Sequence, residues 1–171
     1  EIRDLETAEI AVKAAQTGHM VLSTLHTNDA PSSLTRLANM GVAPFNIASS
    51  VSLVIAQRLV RRLCDSCRDR VTYPEEALLQ AGFDEAELET LEIYEAVGCS
   101  GCTSGYRGRT GIFEVMPMTS EIAAIVMSGG STVEIEQQAR TSGVKSMRGS
   151  GLEKVRRGIT TLEEVERVTT G

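Results

Sequence analysis

Four cysteines in two Cys-x-x-Cys pairs, "CDSC" (Cys64, Cys67) and "CSGC" (Cys99, Cys102), constrain this chain more than any other feature. A tight Cys-x-x-Cys turn lets two sulfurs reach one ion without strain, and four thiolates together suit tetrahedral zinc. Gly98 and Gly101 permit the close backbone such turns need. A site closed by four protein ligands is structural and leaves no position for substrate. Two dithiol redox motifs, or an ordinary disulfide pair, are the other readings of the same spacing. Without a secretory signal, the paired arrangement favours metal over disulfide. A zinc-based nucleic-acid reader is opposed by the acidic residues between the pairs.

Composition narrows the rest. The 171 residues are 42% apolar, enough for a core, and carry a formal net charge of −6. A Lys/Arg surplus is what phosphate neutralisation needs, so bulk nucleic-acid binding is not expected. The basic stretches "RLVRR" (Arg58, Arg61, Arg62) and "KVRRG" (Lys154, Arg156, Arg157) read as solvated helix faces or intersubunit contacts. No apolar run is long enough for a membrane-spanning helix. The opening, "EIRDLETAEIA", has no initiator Met and reads as an excerpt from a longer protein.

Along the chain, Asp4 as N-cap, Glu6 in the first turn and Gly18 as stop frame a helix over about 5–17. "MVLSTL" then reads as a short parallel strand covered on both faces. Turn formers in "HTNDAPSS" lead into a helix ending at Gly41. A further helix opens at Pro44, with Ile47, Val51, Val54, Ile55 and Leu59 on one face. The division expected is an α/β portion over 1–62, a tetracysteine subdomain over 63–111 with a helix near 75–91, and a helical subdomain over 112–171. "IFEVM" (Ile112 to Met116) reads as a strand, and Ser131 with Glu134 and Thr161 with Glu164 read as capping boxes. "GYRGRTG" lacks the Gly-Lys-Ser/Thr ending of a phosphate loop, so its glycines read as turns.

Both histidines, His19 and His26, flank "MVLSTL". Their seven-residue gap disfavours a shared metal. Ligands of an open parallel sheet bind beyond the carboxyl ends of its strands. That geometry favours His26 as a phosphate contact and leaves His19 as support or packing. If a strand ends at Ile2, Glu1 and Arg3 reach the same edge. An acid there can orient water or hold a Mg²⁺ shell, and an arginine can offset developing charge. The plainer reading makes them ordinary acids and bases at a helix start.

Taken together, these segments resemble the C-terminal part of the secretion ATPases that drive type IV pilus assembly and type II secretion. "EIRDLETAEIAVKAAQTGHMVLSTLHTNDA" looks like the end of their Walker B motif running into the histidine box. "IAQRLVRRLCDSC…CSGC…GYRGRTGIFEV" is similar to their tetracysteine region, and "GITTLEEVERVT" to their C-terminal signature. The resemblance implies the C-terminal portion of a RecA-like P-loop NTPase, hexameric and using ATP and Mg²⁺. Glu1 would be the Walker B glutamate and His26 the γ-phosphate contact, with His19 and Arg3 beside the nucleotide. Cys64, Cys67, Cys99 and Cys102 would bind Zn²⁺. The family's partners would be an inner-membrane platform protein and a regulatory adaptor, at a cytoplasmic site peripheral to the inner membrane. Walker A would lie upstream, so these residues alone are expected to be inactive. The sheet of 1–62 is then expected to be incomplete, leaving "MVLSTL" less well covered. The competing expectation is a zinc-stapled module that docks a regulator or membrane platform and has no ATPase activity.

Overall fold

The structure, a computed structural model, describes residues 1–170. The chain forms two compact units, Glu1–Ala56 with Glu114–Val144, and Gln57–Phe113 with Lys145 onward. No helix among the described residues is long and apolar enough to cross a membrane.

In the first unit, α1 (Leu5–Gln16) starts where the Asp4 carboxylate accepts from the Thr7 N–H at 2.9 Å. The next helix, α2 (Ala30–Asn39), starts in the same way, Asp29 accepting from the Ser32 N–H at 2.7 Å. Helices α3 (Pro44–Ser50), α5 (Ser120–Met127) and α6 (Thr132–Thr141) are its other helices. Ala8, Leu34, Ile47, Ile122, Ile135 and Ala139 meet in its core, each about fully buried. The Ser131–Glu134 capping box closes as expected.

Two elements of 1–62 differ from expectation. Residues 19–27 form no strand, and Met20 and Leu22 are 90% and 89% exposed. A strand needs a neighbouring backbone to satisfy its polar groups. The segment shares one such bond with the chain start, from the Ile2 N–H to the Thr24 carbonyl at 2.9 Å. The poor cover expected for "MVLSTL" is observed; the strand itself is not. Helix α3 also stops at Ser50, and Leu53–Leu63 is strand β1. Ser49, Ser50 and Val51 are weak helix formers, and the run that follows has the β-branched pair Val54 and Ile55 near its start. β1 pairs with β4 (Tyr106–Pro117), which contains the expected 112–116 strand.

In the second unit, β2 (Arg68–Val71) pairs antiparallel with β3 (Ile93–Ala96), Arg68 opposite Ala96. Between them, α4 (Glu75–Ala81) ends at Gly82, whose φ of 103° stops the helix in the left-handed region. The single helix expected near 75–91 is therefore α4 plus a 3-10 segment, Glu85–Thr90. Helices α7 (Met147–Arg156) and α8 (Leu162–Thr169) bury Leu152, Val155, Leu162 and Val165 against Leu78, Phe83 and Ile93.

Here the second capping box is half made. Thr161 caps the Glu164 N–H at 3.1 Å, but the Glu164 carboxylate turns to Arg61 and Arg167, each at 2.7 Å. The basic stretches are therefore partly internal ion pairs. Arg61 lies on a strand with its guanidinium on buried Glu164, and Arg156 makes a two-pronged contact with Glu87 at 2.6 Å. Burial disfavours the charged form of Glu164, but the Arg167 and Arg61 guanidiniums and the Arg61 N–H outweigh it and hold the carboxyl at about 2. Its unfolded counterpart titrates near 4.5, so the unfolded chain binds more protons between those values. This stabilisation is present above about pH 5 and fades as pH falls toward 2. Glu164→Gln in the purified chain is expected to cost about 2 kcal/mol at pH 7, discounted because both arginines stay partly solvated. Urea unfolding at pH 7 and pH 3 checks this, since the mutational cost should shrink at the lower pH.

Candidate functional site: a carboxylate held by arginine and histidine, and a cysteine cluster

The extended chain start lies beside the segment that enters α2, joined to it through the Ile2–Thr24 backbone bond. That contact brings Glu1 and His26 together. One carboxylate oxygen of Glu1, Oε1, lies 2.7 Å from His26 Nε2, and the other, Oε2, accepts from Arg3 Nη2 at 2.7 Å. The Arg3 hydrogen bond is the main reason the Glu1 carboxyl is held at about 2, well below its ordinary range, and His26 adds to it. A carboxylate with both oxygens engaged is a weak proton acceptor. It orients water well, and release of either partner would raise its basicity. The His26 side chain is 87% exposed, so it has room to exchange Glu1 for another anion.

His19 is placed elsewhere. Its Nδ1 lies 3.0 Å from the Thr17 hydroxyl and 3.3 Å from the Ala14 carbonyl, at the C-terminal end of α1. The Ala14 carbonyl also accepts from the Thr17 N–H and hydroxyl and from the His19 backbone N–H, so the ring adds to a helix end that is already closed. Glu1, Arg3 and His26 thus form one group, and His19 is bonded outside it.

In the second unit the four cysteines converge. The Sγ atoms of Cys64, Cys67, Cys99 and Cys102 lie within 4.8 Å of one another, and all four are free thiols. Cys64 and Cys99 sulfurs are 3.9 Å apart, and Cys67 and Cys102 sulfurs 3.7 Å. A tetrahedral zinc with Zn–S bonds of about 2.3 Å requires sulfurs about 3.8 Å apart. The donor set therefore fits zinc in both chemistry and spacing. The backbone supports it: the Cys67 and Arg68 N–H groups both donate to the Cys64 carbonyl, closing the first turn. The Cys99 N–H donates to Cys102 Sγ at 3.2 Å, which is the main reason the Cys102 thiol is pulled down to about 7, whereas burial pushes the neighbouring Cys67 thiol up to about 12. Gly105 packs against the Ala96 backbone, where a Cβ would lie 2.7 Å from the Ala96 carbonyl carbon. Its φ of 80° and its acceptance of the Cys64 N–H at 2.8 Å fix the second turn.

Two buried carboxylates have places that the sequence did not predict: Glu164 reads there only as a capping-box partner, and Glu114 is not singled out at all. Glu164 is described above. Glu114, on β4, is 1% exposed and accepts from the Ala30 N–H at 2.9 Å and from the Arg140 guanidinium. Its signal was present, because Ile112, Glu114 and Met116 alternate onto one face of a strand.

A sequence profile of the family described as type II/IV secretion system protein matches residues 1–167. The chain is 58% identical over 171 residues to the type IV pilus assembly ATPase PilB of Acinetobacter baylyi, covering 99% of this chain and 30% of that one. It is 48% identical over 170 residues to the type II secretion system ATPase E of Vibrio cholerae, covering 99% of this chain and 33% of the relative. The chain thus spans about a third of the length of these relatives. Among solved structures, the pilus retraction motor PilT with bound ADP superposes with a TM-score of 0.65 at 20% identity, covering all of this chain and 38% of that one. The Legionella pneumophila ATPase DotB gives 0.62 at 21%, covering all of this chain and 37% of that one. These structural matches establish a shared α/β fold.

Proposed function

Because the chain belongs to the type II/IV secretion system protein family, we propose that it is the C-terminal part of a hexameric, RecA-like ATPase that drives type IV pilus assembly or type II secretion. The observation that carries this reading is the Glu1 carboxylate, flanked by Arg3 and His26 at 2.7 Å each. ATP with Mg²⁺, when bound, supplies the phosphoanhydride whose hydrolysis does the work. Glu1, made more basic once His26 has left it, orients the attacking water and takes up its proton as the bond to the leaving phosphate breaks. Arg3 keeps Glu1 ionised and can offset negative charge at the phosphate edge. His26 leaves Glu1 for the γ-phosphate and so reports its presence to α2, while His19 supports the other end of the same segment. The Gly-Lys-Ser/Thr cradle for the phosphates would come from residues outside this chain, so the chain alone is inactive.

Cys64, Cys67, Cys99 and Cys102 hold a structural zinc with no part in the chemistry. The motor works at the cytoplasmic face of the inner membrane, on a platform protein and under an adaptor. His26→Ala in the full-length protein is expected to lower turnover by about tenfold while ATP-analogue affinity stays within about twofold. Steady-state hydrolysis beside fluorescent-nucleotide titration reads both quantities. Equal loss of both would contradict a sensing role for His26.

A further inference from the structure

We propose that Glu114 and Arg140 form a positioning pair that fixes the start of α2 and thereby sets where His26 stands. The inference rests on the reading of His26 given above and extends it to residues on β4 and α6.

The geometry begins at the entry to α2. His26 is separated from Ala30 by three residues, a span of at most about 14 Å when fully extended. That short connection is pinned. The Thr27 hydroxyl lies 2.7 Å from the Ser33 hydroxyl, and Ser33 donates to the Asp29 carbonyl at 3.2 Å. The Asp29 side chain caps Ser32. The loop therefore moves with the first turn of α2.

What holds that first turn is Glu114. Its Oε2 accepts the Ala30 N–H at 2.9 Å, one of the donors that a helix N-terminus leaves unpaired. Its Oε1 is held by Arg140 Nη2, and Arg140 Nη1 donates to the Val144 carbonyl at 2.8 Å. Ala30 is fully buried and Leu34 nearly so, which makes this end of α2 a solid part of the core.

A carboxylate in that position is an expensive way to stabilise a fold. Packed apolar residues of similar volume usually do as well, because the charge must first leave water. A charged pair does supply direction. Glu114 fixes one N–H vector at the base of the His26 loop, and Arg140 ties that vector to α6. Displacement of α6 would shift the start of α2 and carry His26 with it. The pair thus couples the helical part of this unit to the histidine.

The test uses the full-length motor with ATP. Glu114→Gln keeps an acceptor for Ala30 but turns an amide against Arg140, and Arg140→Gln removes the charge from the partly exposed side. Each is expected to lower kcat about tenfold with KM for ATP within about twofold, and Arg140→Lys should recover part of the loss. Combined with His26→Ala, neither should slow turnover further, because both act through the same imidazole. If Glu114→Gln fails to fold, Arg140→Gln carries the same comparison. Wild-type kcat in both variants, or losses that multiply with that of His26→Ala, would overturn the positioning role alone. Wild-type kcat in His26→Ala would instead overturn the reading on which it rests.

Discussion

Cys64→Ser, or stripping the metal with a strong chelator, is expected to lower the melting temperature of the second unit by about 10 °C or more. The reason lies in what the cysteines clamp. Cys67 immediately precedes β2 and Cys99 closely follows β3, and each of these strands has four residues. A two-stranded ribbon that short is marginal by itself. The 31 residues between Cys67 and Cys99 must also be closed into a loop, at an entropic cost that a metal held by the four cysteines would offset. Without the ion, four thiols within 4.8 Å lose the charge neutralisation that lets them sit together as thiolates. About one zinc per chain by elemental analysis, and tetrahedral thiolate absorption on cobalt substitution, are the accompanying results expected. Metal-free protein that melts at the same temperature, or that carries its cysteines as disulfides, would contradict the zinc assignment.

The cysteine cluster was legible because its information is local. Two Cys-x-x-Cys turns announce their geometry in four residues each, and their meeting needs one antiparallel pairing, β2 with β3. Helix starts were legible for the same reason, as Asp4, Asp29 and Ser131 bond within three residues of themselves. Elements whose fate depends on distant partners were misread. The apolar positions from Ile47 to Leu59 fit a helical period, yet β1 forms because β4, about fifty residues later, supplies its backbone partner. "MVLSTL" has the composition of a buried strand but shares a single backbone bond with the chain start. Gly82 was a readable stop that the acidic run around it obscured.

Charge was the least legible property. Glu114 and Glu164 look like surface carboxylates in a −6 chain, and both are 1% exposed. Their partners, Arg140, Arg61 and Arg167, include residues up to 103 positions away. In the candidate nucleotide site, the strand-end argument put Glu1, Arg3 and His26 on one edge. The structure brings those three together without the strand that motivated the argument. His19, expected as support or packing and as a companion beside the nucleotide, bonds to the Thr17 hydroxyl and the Ala14 carbonyl at the end of α1, outside that group.

The largest effect expected on activity is that of Glu1→Gln. The amide keeps the size of the side chain and can still accept from Arg3, so nucleotide affinity should change little. It cannot take a proton, and it presents His26 with a group of no net charge. Loss of a positioned proton acceptor typically costs about 10²–10⁴-fold in rate. The loss should fall on kcat with KM for ATP nearly unchanged, since the role proposed for Glu1 is on the attacking water and not on the bound phosphates. Raising the pH should not restore the variant, because the missing function is a carboxylate already ionised well below neutrality.

Steady-state ATP turnover by the full-length protein, wild type beside Glu1→Gln, therefore tests the central claim most directly. Turnover that falls by at least about a hundredfold, with nucleotide still bound, is the result predicted for part of a motor whose chemistry centres on Glu1. A wild-type protein that turns over no ATP, or a variant that turns it over equally well, would contradict the motor reading. It would leave the cysteine-stapled docking module as the better account of this chain.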